Sequence, residues 1–357
     1  MNRITGATIN LLAFILKRLY QLIPVLIGIS FITFMLTFIV PGDPVRFIMG
    51  QKSDPKAEQK IREKWGLDKP WYVQYGRFLT SAVKGDLGKS YRLHGRKVSD
   101  VLSEKFVNTA ILTIAALFLA IILGIIVGIF SAFRPNTILD YIAMTGALIG
   151  VSAPVFWLGM MLYIIFISKL HWISGEGFID TFRYLPVHFG PLKFSFPYFD
   201  QVVKYAIGGV SWKITIPFFH EKLVLPAMTL GTIPMAIIAR MTRSSMLEVL
   251  NLDYIRTARA KGQTEFLVIV HHALKNALIP IVTVIGTQFA YLLAGAVLTE
   301  TVFAWPGLGS VVVEAIRQRD FPIVMGAVML FAFVFVIVNL IVDILYAIVD
   351  PRIRYER

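Results

Sequence analysis

Cysteine is absent from this sequence, which excludes disulfides, thiolate metal sites and cysteine nucleophiles. Charge is scarce too. Asp, Glu, Lys and Arg make up 16% of the chain against 56% hydrophobic residues, and the mean hydropathy is +0.69. No ordinary soluble domain has that balance. Acidic residues are the rarer sign, 22 against 35 basic ones, and none precedes Asp43. The net charge of +13 does not imply nucleic acid here, because in a membrane protein basic residues gather beside anionic lipid and on the cytoplasmic side.

The apolar residues come in blocks long enough to cross a bilayer core, which takes about 20 helical residues. The expected fold class is all-α integral membrane with six transmembrane helices, at 19–40, 109–133, 138–167, 223–241, 277–303 and 322–349. The first block (LYQLIPVLIGISFITFMLTFIV) would reach roughly 33 Å at 1.5 Å per residue. It lacks the short core and small-residue cleavage site of a signal peptide and reads as a permanent anchor.

Lys17 and Arg18 precede that block and no acid does, so residues 1–18 are expected in the cytoplasm. An even number of spans returns 350–357 to the same side, where Arg352, Arg354 and Arg357 agree with it. The segment 242–276 is then cytoplasmic. It carries Arg243, Arg256, Arg259, Lys261 and Lys275 against Glu248, Asp253 and Glu265. The external connections are an α-rich segment at 41–108, a long loop at 168–222 and a short one at 304–321. Long loops weigh little in the charge rule, so the lysines between 46 and 105 do not oppose this orientation.

The stretch GDLGKS, residues 85–90, ends like a phosphate-binding loop, which needs G-x-x-x-x-G-K-[ST] between a buried strand and a helix. The spacing is wrong. Val83 stands where the first glycine belongs, and Gly85 lies only three residues before Gly88. The topology puts the stretch outside the membrane, away from ATP, so Lys89 reads as a surface residue.

An ion-driven transporter places ionisable groups at membrane depth, where each is costly and needs a partner. Candidates are few: Asp140 at an inner helix end, Glu300 at an outer one, and Asp343 near the cytoplasmic end of the last span. The spans read as a path without an ionic motor. Pro154, Pro226, Pro234 and Pro280 fall within or at the ends of spans, beside Gly150, Ser152 and Gly231. Broken helices can line a substrate cavity or serve tight packing. The candidates for a path are Ser152, Pro154, Phe156, Pro234 and Met235.

In the cytoplasmic segment LEVLNLDYIRTARAKGQTEFLVIVHHALKNALIP (247–280), Asp253 early and Lys261 late suit a helix dipole, and Gly262 supplies a stop. A second helix restarts after Gln263, with Thr264 as its cap. Two short helices meeting at a glycine make a compact knob. The adjacent His271 and His272 would point about 100° apart on a helix and do not readily chelate one ion.

This segment resembles the EAA loop of the membrane subunits of bacterial ABC importers, in particular the dipeptide, oligopeptide and nickel permease family, and the subunit type that precedes its partner permease in the operon. Against the general pattern E-A-A, three residues, Gly, the chain has Arg256, Thr257, Ala258 and Gly262, and RTARAKG resembles the peptide-permease form. His272 and Lys275 fall where the general motif has Ile and Pro, while Leu274 is retained. The resemblance covers nearly the whole chain, through LIPVLIGISFITFML, PGDP, WGLDKPWYVQYGRFLTSAVKGDLGKSY, PVFWLG, LTETVFAWPGLG, RDFPIVMGAV and DILYAIVDPRIRY. The loop at 168–222 is longer than the family implies.

What the resemblance implies is the type I ABC importer permease fold and a division of labour. This chain would form half of a translocation path with a second homologous permease. Two cytoplasmic ATPase subunits would carry ATP and magnesium, and an external substrate-binding protein would deliver cargo, with no cofactor expected in the chain itself. Asp253, Tyr254, Arg256, Thr257, Ala258, Arg259, Lys261 and Gly262 would form the coupling element, the cations contacting the ATPase groove and Ala258 and Gly262 permitting close approach. The location implied is the bacterial cytoplasmic (inner) membrane. Di- and oligopeptides are the expected cargo, with nickel, glutathione or oligosaccharides as alternatives. A secondary transporter is disfavoured by the scarcity of buried ionisable groups. A membrane-embedded enzyme is disfavoured because no nucleophile, carboxylate pair or metal cluster falls at one depth.

Overall fold

The computed structural model describes residues 20–21, 23–37, 39, 43, 45, 49, 54–93, 95–170, 183–189, 192–198, 202–207, 210–215 and 221–349, with side chains except at 183–222, 294–295, 343 and 345–349. Lys17, Arg18, Arg352, Arg354, Arg357 and the Asp343 side chain, which entered the reading of orientation and of intramembrane charge, lie outside that description. The chain forms two compact units, residues 1–108, 184–197 and 306–337 in one and 109–183, 198–305 and 338–357 in the other.

In the first unit, the apolar helix α1 is described over Ile23–Thr37, and Tyr20, Gln21 and Ile39 are helical as well. Helix α2 (Pro55–Trp65) starts where the sequence supplies both signals, the Asp54 carboxylate accepting from the Lys56 N–H and Pro55 at the first helical position. It stops at Gly66, whose φ of 67° lets the Leu67 N–H reach back to the Arg62 carbonyl at 2.9 Å. Helix α3 (Trp71–Val83) meets α1 through Tyr75. Its hydroxyl donates to the Ile27 carbonyl at 3.2 Å and its ring lies edge-on to Phe31.

Helix α4 (Val98–Phe133) is 36 residues long and begins well before the apolar block expected at 109–133. Its first turns are amphipathic. Val98, Val101 and Leu102 pack with Leu308, Val312 and Ala315 of α11 (Leu308–Gln318) and Ile323 and Ala327 of α12 (Phe321–Val349). The connection expected at 304–321 therefore contains a helix. Gly326 brings α12 onto α4, since a Cβ there would lie 2.7 Å from Val98 Cγ1.

The GDLGKS loop belongs to this unit. Lys89 is exposed, as expected, and bridges to Lys97. Ser90 is buried, and its hydroxyl donates to the Asp320 carboxylate, which also accepts the N–H groups of Tyr91 at 3.1 Å and Arg92 at 3.3 Å. The loop does gather donors around an anion. That anion is a side chain of the same polypeptide.

In the second unit, α4 ends at the tight turn 134–137, where Asn136 adopts a left-handed φ of 60°. Helix α5 (Ile138–Ser152) follows, with Thr137 as its cap. The span expected at 138–167 is not one straight helix. It bends by 106° between α5 and the pair formed by α6 (Val155–Tyr163) and a π-helical turn at Ile164–Lys169. The cause is local: a proline disfavours the helical region for the residue before it, and Ala153 is extended (φ −75°, ψ 133°). Pro226 and Pro234 do not break α7 (Glu221–Leu250), nor does Pro280 break α10 (Lys275–Val302).

Four described helices are long and apolar enough to cross a membrane, or five with the bent pair taken as one span. Among the described residues the regular structure is helical apart from two hairpins in the long 168–222 connection: β1 (Arg183–Phe189) with β2 (Leu192–Tyr198), and β3 (Val202–Ile207) antiparallel to β4 (Val210–Thr215), with Val202 opposite Thr215 and Ile207 opposite Val210.

Helices α4 and α7 meet through glycines. A Cβ at Gly124 would lie 2.9 Å from the Met235 carbonyl oxygen, one at Gly128 would lie 2.5 Å from Thr242 Cβ, and one at Gly231 would lie 2.7 Å from the Ala116 carbonyl oxygen. Small residues at such spacing let backbones approach where no hydrophobic drive separates helix from lipid. Gly128→Ala is therefore expected to destabilise the protein by about 1–3 kcal/mol through overpacking. Gly146→Ala on α5, with nothing within 4 Å of the new Cβ, should be neutral or slightly stabilising. Thermal unfolding of the two detergent-purified variants checks the contrast, and equal melting temperatures would remove the packing argument.

Candidate functional site

Helix α8 (Asp253–Ala260) follows α7 across Asn251 and Leu252 and makes the expected knob. Its sequence is two-faced. Ile255 and Ala258, three residues apart and so on one side of the helix, are buried at 0% and 7% exposure among Met246, Val249, Val268, Ala273 and Ile281. Asp253, Tyr254, Arg256, Thr257, Arg259 and Lys261 are exposed. The placement of Ala258 differs from the expected role: its small side chain faces its own core, so the close approach it permits is internal.

Gly262 ends the helix with a left-handed φ of 76° and nothing within 4 Å of where a Cβ would stand. Its N–H donates to the Arg259 carbonyl at 2.9 Å. Thr264 takes the N-cap position of α9 (Glu265–Leu267), but its side chain makes no capping bond. Other contacts fix the turn. Arg259 Nε donates to Glu265 Oε1 at 2.8 Å, His272 Nε2 and Gln263 Oε1 are 2.6 Å apart, and Asn276 Nδ2 donates to the Tyr254 hydroxyl at 2.8 Å. Glu265, Gln263 and His272, which the sequence reading named for other reasons, and Asn276, which it did not name, are thus partners of the residues around this turn. They lie six to 22 residues from their partners, beyond helix periodicity, so no local pattern marks them.

The three cations of the knob differ in situation. Arg256 is 3.5 Å from Asp253 with both side chains largely in solvent, a pair of little energetic weight. Arg259 is committed to Glu265. Lys261 has no carboxylate within 4 Å among the described residues. Around them Leu252, Tyr254, Phe266, Leu267 and Val270 expose apolar surface, Phe266 at 74%. Charged and apolar groups clustered on a projecting element suit contact with another protein.

A π-helical turn at Val268–Leu274 joins α9 to α10 and carries both histidines, whose rings stand edge to face at 5.1 Å. Among the described residues, no three His, Asp or Glu side chains converge as a metal site would require.

Above the knob, Arg243 of α7 makes a two-point bond to Asp140 of α5, Nε to Oδ1 at 2.8 Å and NH2 to Oδ2 at 2.7 Å, and the Asn136 N–H adds a third at 2.9 Å. Asp140 is buried at 3% exposure. Glu300, placed by the sequence at a helix end, is fully buried and accepts the Thr109 hydroxyl at 2.6 Å.

The path candidates fall in two groups. Ser152, Pro154 and Phe156 are exposed around the bend, while Pro234 is buried and Met235 half-buried in α7. The groups are neighbours, because a Cβ at Gly150 would lie 3.0 Å from Thr232 Cγ2.

Residues 124–355 match the family described as binding-protein-dependent transport system inner membrane component, and residues 11–113 match the N-terminal region of the same class of membrane component. The dipeptide transport system permease protein DppB of Alkalihalophilus pseudofirmus is 45% identical over 345 residues, covering 97% of this chain and 100% of that protein. DppB of Escherichia coli K12 is 43% identical over 356 residues with the same coverage, and the glutathione transport system permease protein GsiC of Escherichia coli K12 is 37% identical over 346 residues, again at 97% and 100%. Together with the apolar helices and the projecting α8, these matches establish the chain as a member of the binding-protein-dependent transport system inner membrane component family, a multi-pass permease of the ABC importer kind.

Proposed function

We propose that this chain is one of two permease subunits of an ATP-driven peptide importer, with di- or oligopeptides as cargo. The observation that carries the cargo class is the full-length similarity to dipeptide permeases, at 45% and 43% identity against 37% for a glutathione permease. Glutathione, itself a small peptide, is the second reading.

In this reading six spans enclose half of the path, with both termini and the α8 knob in the cytoplasm and the GDLGKS loop outside. The knob docks on an ATPase subunit, one of two that bind ATP and magnesium. Lys261 and Arg256 supply exposed positive charge and Phe266 with Leu267 supply apolar contact. Arg259 holds the turn and works through it. ATP binding draws the ATPases together, α8 moves as a unit with Ile255 and Ala258 locked in the core behind it, and the spans tilt between inward-open and outward-open states. Ser152, Pro154 and Phe156, at the break between α5 and α6, face the second permease.

The test is uptake into proteoliposomes holding this chain with its companion permease and ATPases, with the external binding protein added outside. Labelled dipeptide should accumulate only with ATP at the ATPase side. Equal accumulation without ATP would overturn the ATP-driven reading, and uptake of glutathione in place of dipeptides would overturn the cargo.

A further inference from the structure

We propose that a cavity in the first unit binds an anionic phospholipid, with its phosphodiester at a basic rim and its acyl chains descending along α1 and α12. The cavity has a volume of about 710 Å³. Phe34 and Thr37, from the last turns of α1, and Phe321, Pro322 and Met325, from the first turns of α12, are part of its lining. These are the ends of apolar helices, so the lining continues into whatever hydrocarbon surrounds them. Leu36, between Phe34 and Thr37, and Phe333, about two turns beyond Met325, are about half exposed, at 52% and 49%.

The lining is also basic. Arg62, Lys64, Arg77 and Lys89 line the cavity against two carboxylates, Asp43 and Asp86. Asp43 is already bonded to Arg62, which also holds Glu58, and Asp86 accepts the Gly88 N–H. Lys64, Arg77 and Lys89 have no carboxylate within 4 Å of their charged nitrogens among the described residues. They approach from three separate places, α2, α3 and the GDLGKS loop, so the chain converges cations on this opening. The false phosphate motif thus contributes its lysine to a phosphate-binding rim of another kind.

The lining also holds a stacked pair, Trp65 on Tyr91, with ring centroids 4.1 Å apart and planes 14° from parallel. Tyrosine and tryptophan favour the headgroup level of a bilayer, where one end is apolar and the other wet. Burial, with the Asp320 charge nearby, pushes the Tyr91 hydroxyl up to about 12, so it stays protonated and available to donate. Apolar side chains, an aromatic pair and a cluster of cations in one lining supply the three kinds of surface that a phospholipid's chains, interface and phosphate need. A soluble anion would gain nothing from Phe34, Phe321 and Met325, and a zwitterionic lipid would bring its own cation to a rim that already has an excess of them.

The inference rests on α1 and α12 being membrane spans and not on cargo or ATP coupling, so its failure leaves the transport reading intact. Its test is native mass spectrometry of the full chain, purified with its companion subunits and exposed to phosphatidylglycerol, phosphatidylcholine or sn-glycerol phosphate. Phosphatidylglycerol should be retained, and the triple variant Lys64→Gln, Arg77→Gln, Lys89→Gln should lose about tenfold or more of that retention. The charge-keeping triple Lys64→Arg, Arg77→Lys, Lys89→Arg should keep it. Three exposed positions make misfolding of either triple avoidable, and unchanged subunit stoichiometry in the same spectra verifies this. Equal retention of phosphatidylcholine, retention of glycerol phosphate without lipid, or undiminished phosphatidylglycerol in the neutral triple would each overturn the proposal.

Discussion

A chain carrying Gly262→Asp is expected to reach the membrane at the wild-type level and to lose ATP-driven uptake by a hundredfold or more, on the order of 3 kcal/mol of coupling, while the external binding protein still binds cargo. The fold tolerates the change because nothing lies within 4 Å of the new Cβ. The left-handed φ of 76° costs on the order of 1–2 kcal/mol for an L-residue, and aspartate is among the better tolerated there. The damage is electrostatic and local. The new carboxylate stands at the C-terminal end of α8, where the helix dipole is already negative, and three residues from Arg259. It competes with Glu265 for that guanidinium, loosening the 2.8 Å bond that closes the turn, and it places negative charge beside Lys261 on the exposed face.

Gly262→Asn separates the causes. Asparagine accepts the left-handed conformation equally well without charge, so it should retain most uptake. Normal transport by Gly262→Asp at normal membrane levels would remove the coupling role from α8, and equal loss in Gly262→Asn would assign the effect to backbone strain.

How much of this was legible in the sequence depends on the range of the physics involved. The stop at Gly262, the α2 boundaries at Asp54, Pro55 and Gly66, and the break at Pro154 are local chemistry, readable from a few adjacent residues. Apolar runs marked where helices meet lipid, but not where they begin and end. Helix α4 starts at Val98 and not near Thr109 because VSDVLSEKFVN is amphipathic and its apolar stripe packs with α11 and α12. Helix α7 likewise continues through MTRSSMLEVL to Leu250, burying Met246 and Val249. The hairpins at 183–215 had a signal that went unused, the alternation in VSWKIT and KFSFPY.

Contacts between distant residues were not legible. Ser90 meets Asp320 across 230 positions, and Arg243 meets Asp140 across 103. No period or spacing encodes those pairs, and a motif reading cannot tell which cation of RTARAKG is tied down and which is free. That distinction decides roles. Arg259 is paired with Glu265 across a glycine turn whose geometry exists only once α9 has packed.

The second large effect is expected at the buried pair. Arg243→Met should destabilise the protein by roughly 3–5 kcal/mol, because it strands a carboxylate at 3% exposure without its cation, the Asn136 N–H bond being too little to replace it. The reciprocal change should be milder. Asp140→Asn leaves Arg243, whose side chain is 26% exposed, able to turn its guanidinium toward water. Replacing both, Asp140→Leu with Arg243→Met, should recover most of the loss, since well-packed apolar groups often substitute for a buried ion pair at no net cost. A double-mutant cycle on the thermal unfolding of the purified protein reads all three quantities. Equal destabilisation by the two single changes would show that burial is not what sets the penalty. A double variant no better than Arg243→Met alone would mean that the pair fixes the geometry between the 134–137 turn and α7, rather than merely neutralising a charge the helices have enclosed.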